Sequence, residues 1–190
     1  ILLFLIEEKM MIIDEFICQT IITKKYSQLK YPQYFETEIR QFIDKSWFQE
    51  QFENEKQLIK ELTKEMENDF YEKRRIGEND CYICKIIRED LIDDFIPYLA
   101  KNSYSFDSII NSSIYETNTF LLKKEKTTLI EYAAFYGSIK IFNYLRLKGC
   151  KITSSLWIYS IHGKNTEIIN FLEDNQIKPD NNNYEELFKE

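Results

Sequence analysis

Three observations predict an all-α chain, with a helical N-terminal region over 1–76 and a stack of helical hairpins over 77–190. Four Gly and three Pro in 190 residues leave little of the turn chemistry that a sandwich or barrel needs. Apolar residues recur at three-and-four spacing along the first 76 residues. The second half repeats itself at a fixed offset, which is the sequence mark of a repeat architecture. With 44% hydrophobic and 30% charged residues, the chain has the makeup of a folded protein and enough length for a real core. Its apolar share is unusual: 28 Ile and no Val, with only three Ala beside 14 Phe and 13 Tyr. Where bulk is the rule, a position that takes Ala marks a tight contact.

In the N-terminal region, residues 2–12 and 14–25 read as helices with apolar residues on more than one face, and Asp14 is placed to cap the second. Tyr31-Pro32 marks a break, because the residue before Pro avoids the α region. Residues 38–50 resume with Ile39, Phe42, Ile43, Trp47 and Phe48 on one face. Residues 55–75 carry Leu58, Ile59, Leu62, Met66 and Phe70 as an apolar stripe for the chain's own core. The run Glu72-Lys73-Arg74-Arg75 reads as solvated helix surface, and Gly77 supplies the stop. The chain opens at Ile1 and closes on the start of a helix, which reads as an internal piece of a longer polypeptide.

The repeat is clearest between Thr128-Leu129-Ile130-Glu131-Tyr132-Ala133-Ala134-Phe135-Tyr136-Gly137 and Ser155-Leu156-Trp157-Ile158-Tyr159-Ser160-Ile161-His162-Gly163-Lys164, 27 residues on. The following segments, 138–145 and 165–172, match at the same offset. An earlier unit falls into register 47 residues back, at 86–95, and another begins near Asn182. The units are therefore expected at about 80–102, 128–150 and 155–177, with an insert at 103–126. Thr128 and Glu131 have the spacing of a capping box. Gly137 suits the left-handed turn that ends a helix, and Ser138 is placed to cap the next. Ala133 and Ala134 mark a close helix seam, whereas Trp157 reads as core. The Ser/Asn content of the insert and its Asn118-Thr119 predict irregular chain, with a short strand at Phe120-Leu121-Leu122. One such hairpin is too small to bury its own apolar face, so neighbours must stack.

The stretch Thr128–Cys150 resembles the Thr-Pro-Leu-His-x-Ala-Ala-x-x-Gly and Leu-Leu-x-x-Gly-Ala pattern of the ankyrin repeat. The whole chain is similar to a large family of ankyrin-like proteins expanded in trichomonad-type flagellated protists. Gly77-Glu78-Asn79-Asp80, Tyr82-Ile83-Cys84-Lys85, Glu116-Thr117-Asn118-Thr119-Phe120 and Thr128–Leu145 carry that resemblance. It implies an ankyrin-like α-solenoid serving as an interaction module. By position it places Phe135, Tyr136, His162 and Gly163 on the concave face, where aromatics anchor partners. The opposing reading packs Phe135 and Tyr136 on the 103–126 insert or a neighbouring helix. Insertions in solenoids often fall on the binding face, which adds Tyr115, Phe120, Lys123 and Lys124 as second-rank contact candidates. Leu129 and Glu131 depart from the family's Pro and His, and Lys164 stands at the glycine position, with Gly163 beside it to take over the turn. A 27-residue period also leaves too few residues for projecting hairpin fingers.

The net charge of −7 is spread evenly, with no basic half or tail, so neither a nucleic acid nor a membrane is expected as partner. The opening apolar run of Ile1–Ile6 is far shorter than the roughly 20 residues a bilayer needs. Cys81 and Cys84 have half the spacing of a zinc site. Cys18 and Cys150 stand apart, however, and His162 is the one His, so all four cysteines read as small buried hydrophobes with no metal or cofactor. His162 has no neighbour in sequence that would make it a base, and no catalytic residue is assigned. The expected function is a non-catalytic, cytoplasmic adaptor that binds a protein along its concave face. The alternative is a structural subunit of a larger cytoskeletal or axonemal assembly, associated with a flagellum, whose load of Ile, Phe and Tyr is covered by neighbours.

Overall fold

A computed structural model of the chain describes residues 2–23, 34–48, 69–124 and 126–179. The Tyr31-Pro32 break, most of the 55–75 stripe and the unit expected from Asn182 lie outside the described residues. The described residues are helical, with no strand and one isolated antiparallel bridge between Ile109 and Thr128. The chain divides into two compact units, Ile1–Gly77 and Glu78–Glu190.

The first unit is built of short helices: α1 (Leu2–Glu7), α2 (Glu15–Thr23), α3 (Glu36–Arg40) and α4 (Phe70–Ile76). The helix expected over 2–12 ends at Glu7, where the polar Glu7-Glu8-Lys9 interrupts the apolar run. Lys9 turns left-handed (φ 57°), and the amides of Met10 and Met11 both donate to Leu5 O. Asp14 caps α2 as expected, its Oδ1 accepting from Ile17 N at 2.8 Å. The helix expected over 38–50 is interrupted: beyond α3 the chain turns over 41–45, with Phe42 N to Ile39 O at 2.8 Å, and is helical again at 46–48. Ile39 of α3, Ile43 in the turns and Phe48 beyond them still meet in a core shared with Ile13, Cys18, Ile21 and Phe35. The charged run 72–75 is not all solvated. Arg74 is 5% exposed and grips both carboxylate oxygens of Glu38 at 2.9 and 3.0 Å. It also donates to Tyr34 O and lies against the rings of Phe70 and Tyr71, a fork geometry that lysine could not supply. Gly77 ends α4 in the left-handed conformation, φ 71°.

The second unit holds α5 (Tyr82–Arg88), α6 (Ile92–Lys101), α7 (Thr119–Lys123), α8 (Leu129–Tyr136), α9 (Ile139–Leu147), α10 (Leu156–Gly163) and α11 (Thr166–Asp174). Helices pair in order, α5 with α6, α8 with α9 and α10 with α11. The first helices of the pairs form a row, with α8 packed between α5 and α10. The second helices form another row: α6 touches α9, and Phe142 of α9 meets Phe171 of α11 edge-on at 5.8 Å. Each second helix closes with the same backbone bond, from Tyr104 N to Leu99 O, Cys150 N to Leu145 O and Ile177 N to Leu172 O, and all three leucines are buried.

The turn inside each pair is also the same, although its residues are not. Asp90, Gly137 and Lys164 each adopt the left-handed conformation, with φ of 51°, 69° and 50°. Lys164 therefore makes its turn itself, and the expectation that Gly163 would take it over is corrected. Gly163 has a different task. It is the last residue of α10, and a Cβ on it would lie 2.1 Å from Ala134 O and 3.0 Å from Gly137 N. Only hydrogen fits there, so α10 lies directly on the backbone of α8. Ala133 and Ala134 on that seam are fully buried, as is Ser160, whose hydroxyl turns back to Leu156 O at 2.7 Å.

Thr128 caps α8 in a complete capping box with Glu131. Ser138 does not cap α9, contrary to its expected role. Its hydroxyl reaches back to Ile87 O at 2.5 Å, and Asp90 of the preceding turn takes over, its carboxylate accepting from Lys140 N and Ile141 N at 3.0 Å each. One turn later Asn165 caps its own helix α11 through Glu167 N and Ile168 N while donating to Gly137 O at 3.0 Å. The turns are thus stitched from one pair to the next, which satisfies helix-end amides that would otherwise stay unpaired. Trp157 is buried as expected and donates to Ile177 O. The strand expected at Phe120-Leu121-Leu122 is instead the short helix α7, because Asn118 accepts from Phe120 N and Leu121 N and starts a helical turn.

Candidate partner-binding face

The last turns of α8 and α10 bring Phe135, Tyr136 and His162 toward the insert. Helix α7 places Phe120 among them. Its ring stacks on Phe135 with centroids 5.6 Å apart and planes 4° from parallel. Tyr159 meets it edge-on at 5.0 Å and His162 tilts against it at 4.4 Å. His162 also lies 5.2 Å from Phe135, so one ring of the insert ties α8 to α10. Lys124 completes the cluster with its ammonium 5.0 Å from the Phe120 centroid.

This packing decides between the two readings of Phe135. It is 8% exposed and packs on the insert, so it supports the face and does not present itself to a partner. Phe120 and Tyr115, offered by the sequence as contacts, are likewise buried, at 6% and 5%. The Phe120 ring fills the gap between the insert and the helical pairs, which the Ser/Asn content of 103–126 did not signal. His162 and Lys123 are exposed, and Tyr136 and Lys124 are half-buried. Those four are the candidates that remain reachable, with Gly163 held against the helix seam.

Next to Tyr136 lies a polar network for which the sequence analysis assigned no role. Arg88 of α5 pairs with Glu78 at 2.9 Å and donates to Asn79 O at 2.8 Å and to the Tyr132 hydroxyl at 3.1 Å. Its guanidinium lies 5.9 Å from the Tyr136 ring, and the Tyr132 and Tyr136 rings are 4.8 Å apart. Burial pushes the Tyr136 hydroxyl up to about 12, with Glu116 adding to the shift, so it stays a neutral donor. Glu116 itself is 6% exposed: one oxygen accepts from Asn118 N at 2.8 Å, and Oε2 has no hydrogen-bond partner. Burial raises its pKa above the usual carboxylate value. Arg88 gave no periodic signal because a single arginine at a helix end is ordinary; only the meeting of α5 with α8 makes it a hub.

The cysteines divide differently from their uniform sequence reading. Cys18, Cys84 and Cys150 are buried, whereas Cys81 is partly exposed, and all four are free thiols. Among the described residues no group of three or more His, Cys, Asp or Glu stands close enough to hold a metal ion, and no helix is long and apolar enough to cross a membrane. The face therefore offers a tyrosine, an imidazole, two lysines and a paired arginine on a firm aromatic floor. Compared with known proteins, the chain matches no family model, no curated protein and no solved structure.

Proposed function

We propose that this chain is a non-catalytic protein-binding module, an ankyrin-like α-solenoid of helical hairpins in the cytoplasm. Its partner would lie along the concave face that carries Tyr136 and His162. The observation that carries this reading is the recurrence of one turn geometry at Asp90, Gly137 and Lys164. Equal turns set successive pairs in the same attitude, so equivalent positions on α8 and α10 face the same way. Tyr136 and His162 lie at the ends of those helices, and the resemblance of Thr128–Cys150 to an ankyrin repeat points to the same face. A photo-crosslinking residue at position 162 should capture a protein from native extract that the same residue at position 136 also captures. Position 147, where Leu147 is 78% exposed on α9, should not capture it. Equal capture from all three positions would contradict the reading.

A second reading, a structural subunit in a cytoskeletal or axonemal assembly, draws support from apolar surface in the first unit. Met10, Ile12 and Phe16 are 71%, 81% and 75% exposed. Purified chain that remains a monomer at high concentration would count against this version.

A further inference from the structure

We propose that Cys81 and Cys84 form a reversible intramolecular disulfide, with Cys81 the attacking thiol and Cys84 the one that resolves. Cys81 is the residue that precedes α5, with extended backbone (φ −58°, ψ 132°), and Cys84 lies three residues on inside the helix. The amides of Cys84 and Lys85 both donate to Cys81 O, at 2.9 and 3.2 Å, which closes the loop between the two cysteines and holds their side chains together. The two thiols interact, the Cys84 S–H favouring the thiolate form of Cys81. One is reachable and the other is not: Cys81 is partly exposed and Cys84 is 0% exposed beneath it. An accessible attacking sulfur with a covered partner in contact is the arrangement a two-step exchange requires.

The hydrogen bond between the thiols acts in the same direction. It brings the Cys81 thiol down to about 7 against burial and the Asp80 carboxylate, with Arg88 a smaller help. The same bond and burial push the Cys84 thiol up, so it remains the donor until it is needed. Cys18 and Cys150 are each pushed up to about 11, burial being the main cause, and are poor nucleophiles at neutral pH. The oxidant is a disulfide of a low-molecular-weight thiol, for which glutathione disulfide serves as probe. The Cys81 thiolate attacks one sulfur, forming a Cys81–glutathione bond and releasing one glutathione thiolate. The Cys84 thiol then loses its proton to solvent and attacks the Cys81 sulfur. This forms the Cys81–Cys84 bond and releases the second glutathione, so the protein gives up two electrons and two protons. Closure also turns the Cys84 sulfur, which accepts from the Tyr132 hydroxyl, from thiol to disulfide beside the residue that Arg88 contacts at 3.1 Å.

The test uses the full chain in glutathione buffers of graded oxidised-to-reduced ratio at pH 7. After an acid quench, free thiols are alkylated and tryptic peptides mapped; both cysteines fall on the single peptide 76–85. The expected result is loss of two hydrogens from that peptide while Cys18 and Cys150 remain alkylated. Cys81→Ser should leave Cys84 reduced, and Cys84→Ser should hold glutathione at Cys81. About half of Cys81 is thiolate at pH 7, against roughly 3% for an ordinary thiol. Its lower nucleophilicity takes back a factor of about 5, leaving attack roughly threefold faster than by an ordinary cysteine. The rate should rise with pH to a midpoint of about 7. Full reduction at every ratio would overturn the proposal, as would a lasting glutathione adduct in the unsubstituted chain, oxidation of Cys84 in Cys81→Ser, or oxidation shared equally with Cys18 and Cys150. Should the buried position reject serine, the unsubstituted chain and Cys81→Ser still decide.

Discussion

The hairpin of α8 and α9 and the hairpin of α10 and α11 reach one geometry with different residues. The first starts with a capping box at Thr128; the second starts at Ser155, whose side chain makes no cap and instead donates to Glu131 at 2.6 Å. The first turns on Gly137, the second on Lys164. The second helix of the first hairpin is capped from outside by Asp90, and that of the second by its own Asn165. What the two share is the seam between them. Small residues on both sides let α10 come down on the Ala134 carbonyl. Packing between hairpins, more than any one residue within a hairpin, sets the repeat.

Phe120 touches Phe135 of one hairpin and Tyr159 and His162 of the other, so Phe120→Ala should cost about 4 kcal/mol in denaturant unfolding of the full chain. It should also raise hydrogen exchange in both α8 and α10. A loss confined to α7 would show that the insert merely rests on the pairs. Next is Gly163→Ala, which puts a methyl into backbone and should cost about 2–3 kcal/mol despite alanine's better helix propensity. An unchanged or higher Tm would mean that the seam is looser than its 2.1 Å contact says.

Smaller effects sharpen the contrast between the turns. Asp90→Ala removes the carboxylate that caps α9 from the preceding pair and should cost about 1.5 kcal/mol, whereas Ser138→Ala should not expose the α9 amides at all. Gly137→Ala forces a Cβ into φ 69° and should cost about 1 kcal/mol. Lys164→Gly should change stability by less than about 0.5 kcal/mol, because relief of left-handed strain is offset by the added freedom of the unfolded chain. A large gain from Lys164→Gly would show that the turn is held by more force than the two flanking helices supply.

Much of the first hairpin was legible because its signals are local. Thr128 and Glu131 sit three residues apart, Gly137 follows the last apolar turn, and two of the three alanines stand together in a chain that avoids alanine. The second hairpin was harder to read. Gly163 beside Lys164 looks like a turn glycine, and only the position of α8 shows that its hydrogen faces another helix. Arg74 was read as surface because its neighbours are charged; its burial depends on Glu38 and Tyr34, which lie far away in sequence. The candidate site shows the same limit. The sequence found the aromatic positions but not their direction, since Phe135 and Phe120 cover each other while His162 and Lys123 stay exposed. The network of Arg88, Tyr132 and Tyr136 arises where α5 meets α8, a contact that no period within one helix can announce.

The seam of α8 with α10 can be measured most directly by proton–proton distances in the isotopically labelled chain. With the Gly163 backbone against Ala134 O and Gly137 N, its α protons should give strong cross-relaxation to the Gly137 amide, and the Asn165 side-chain amide should show a contact with the Gly137–Ser138 turn. Absence of both signals in a chain whose α8 and α10 are otherwise intact would contradict the stacking of successive hairpins.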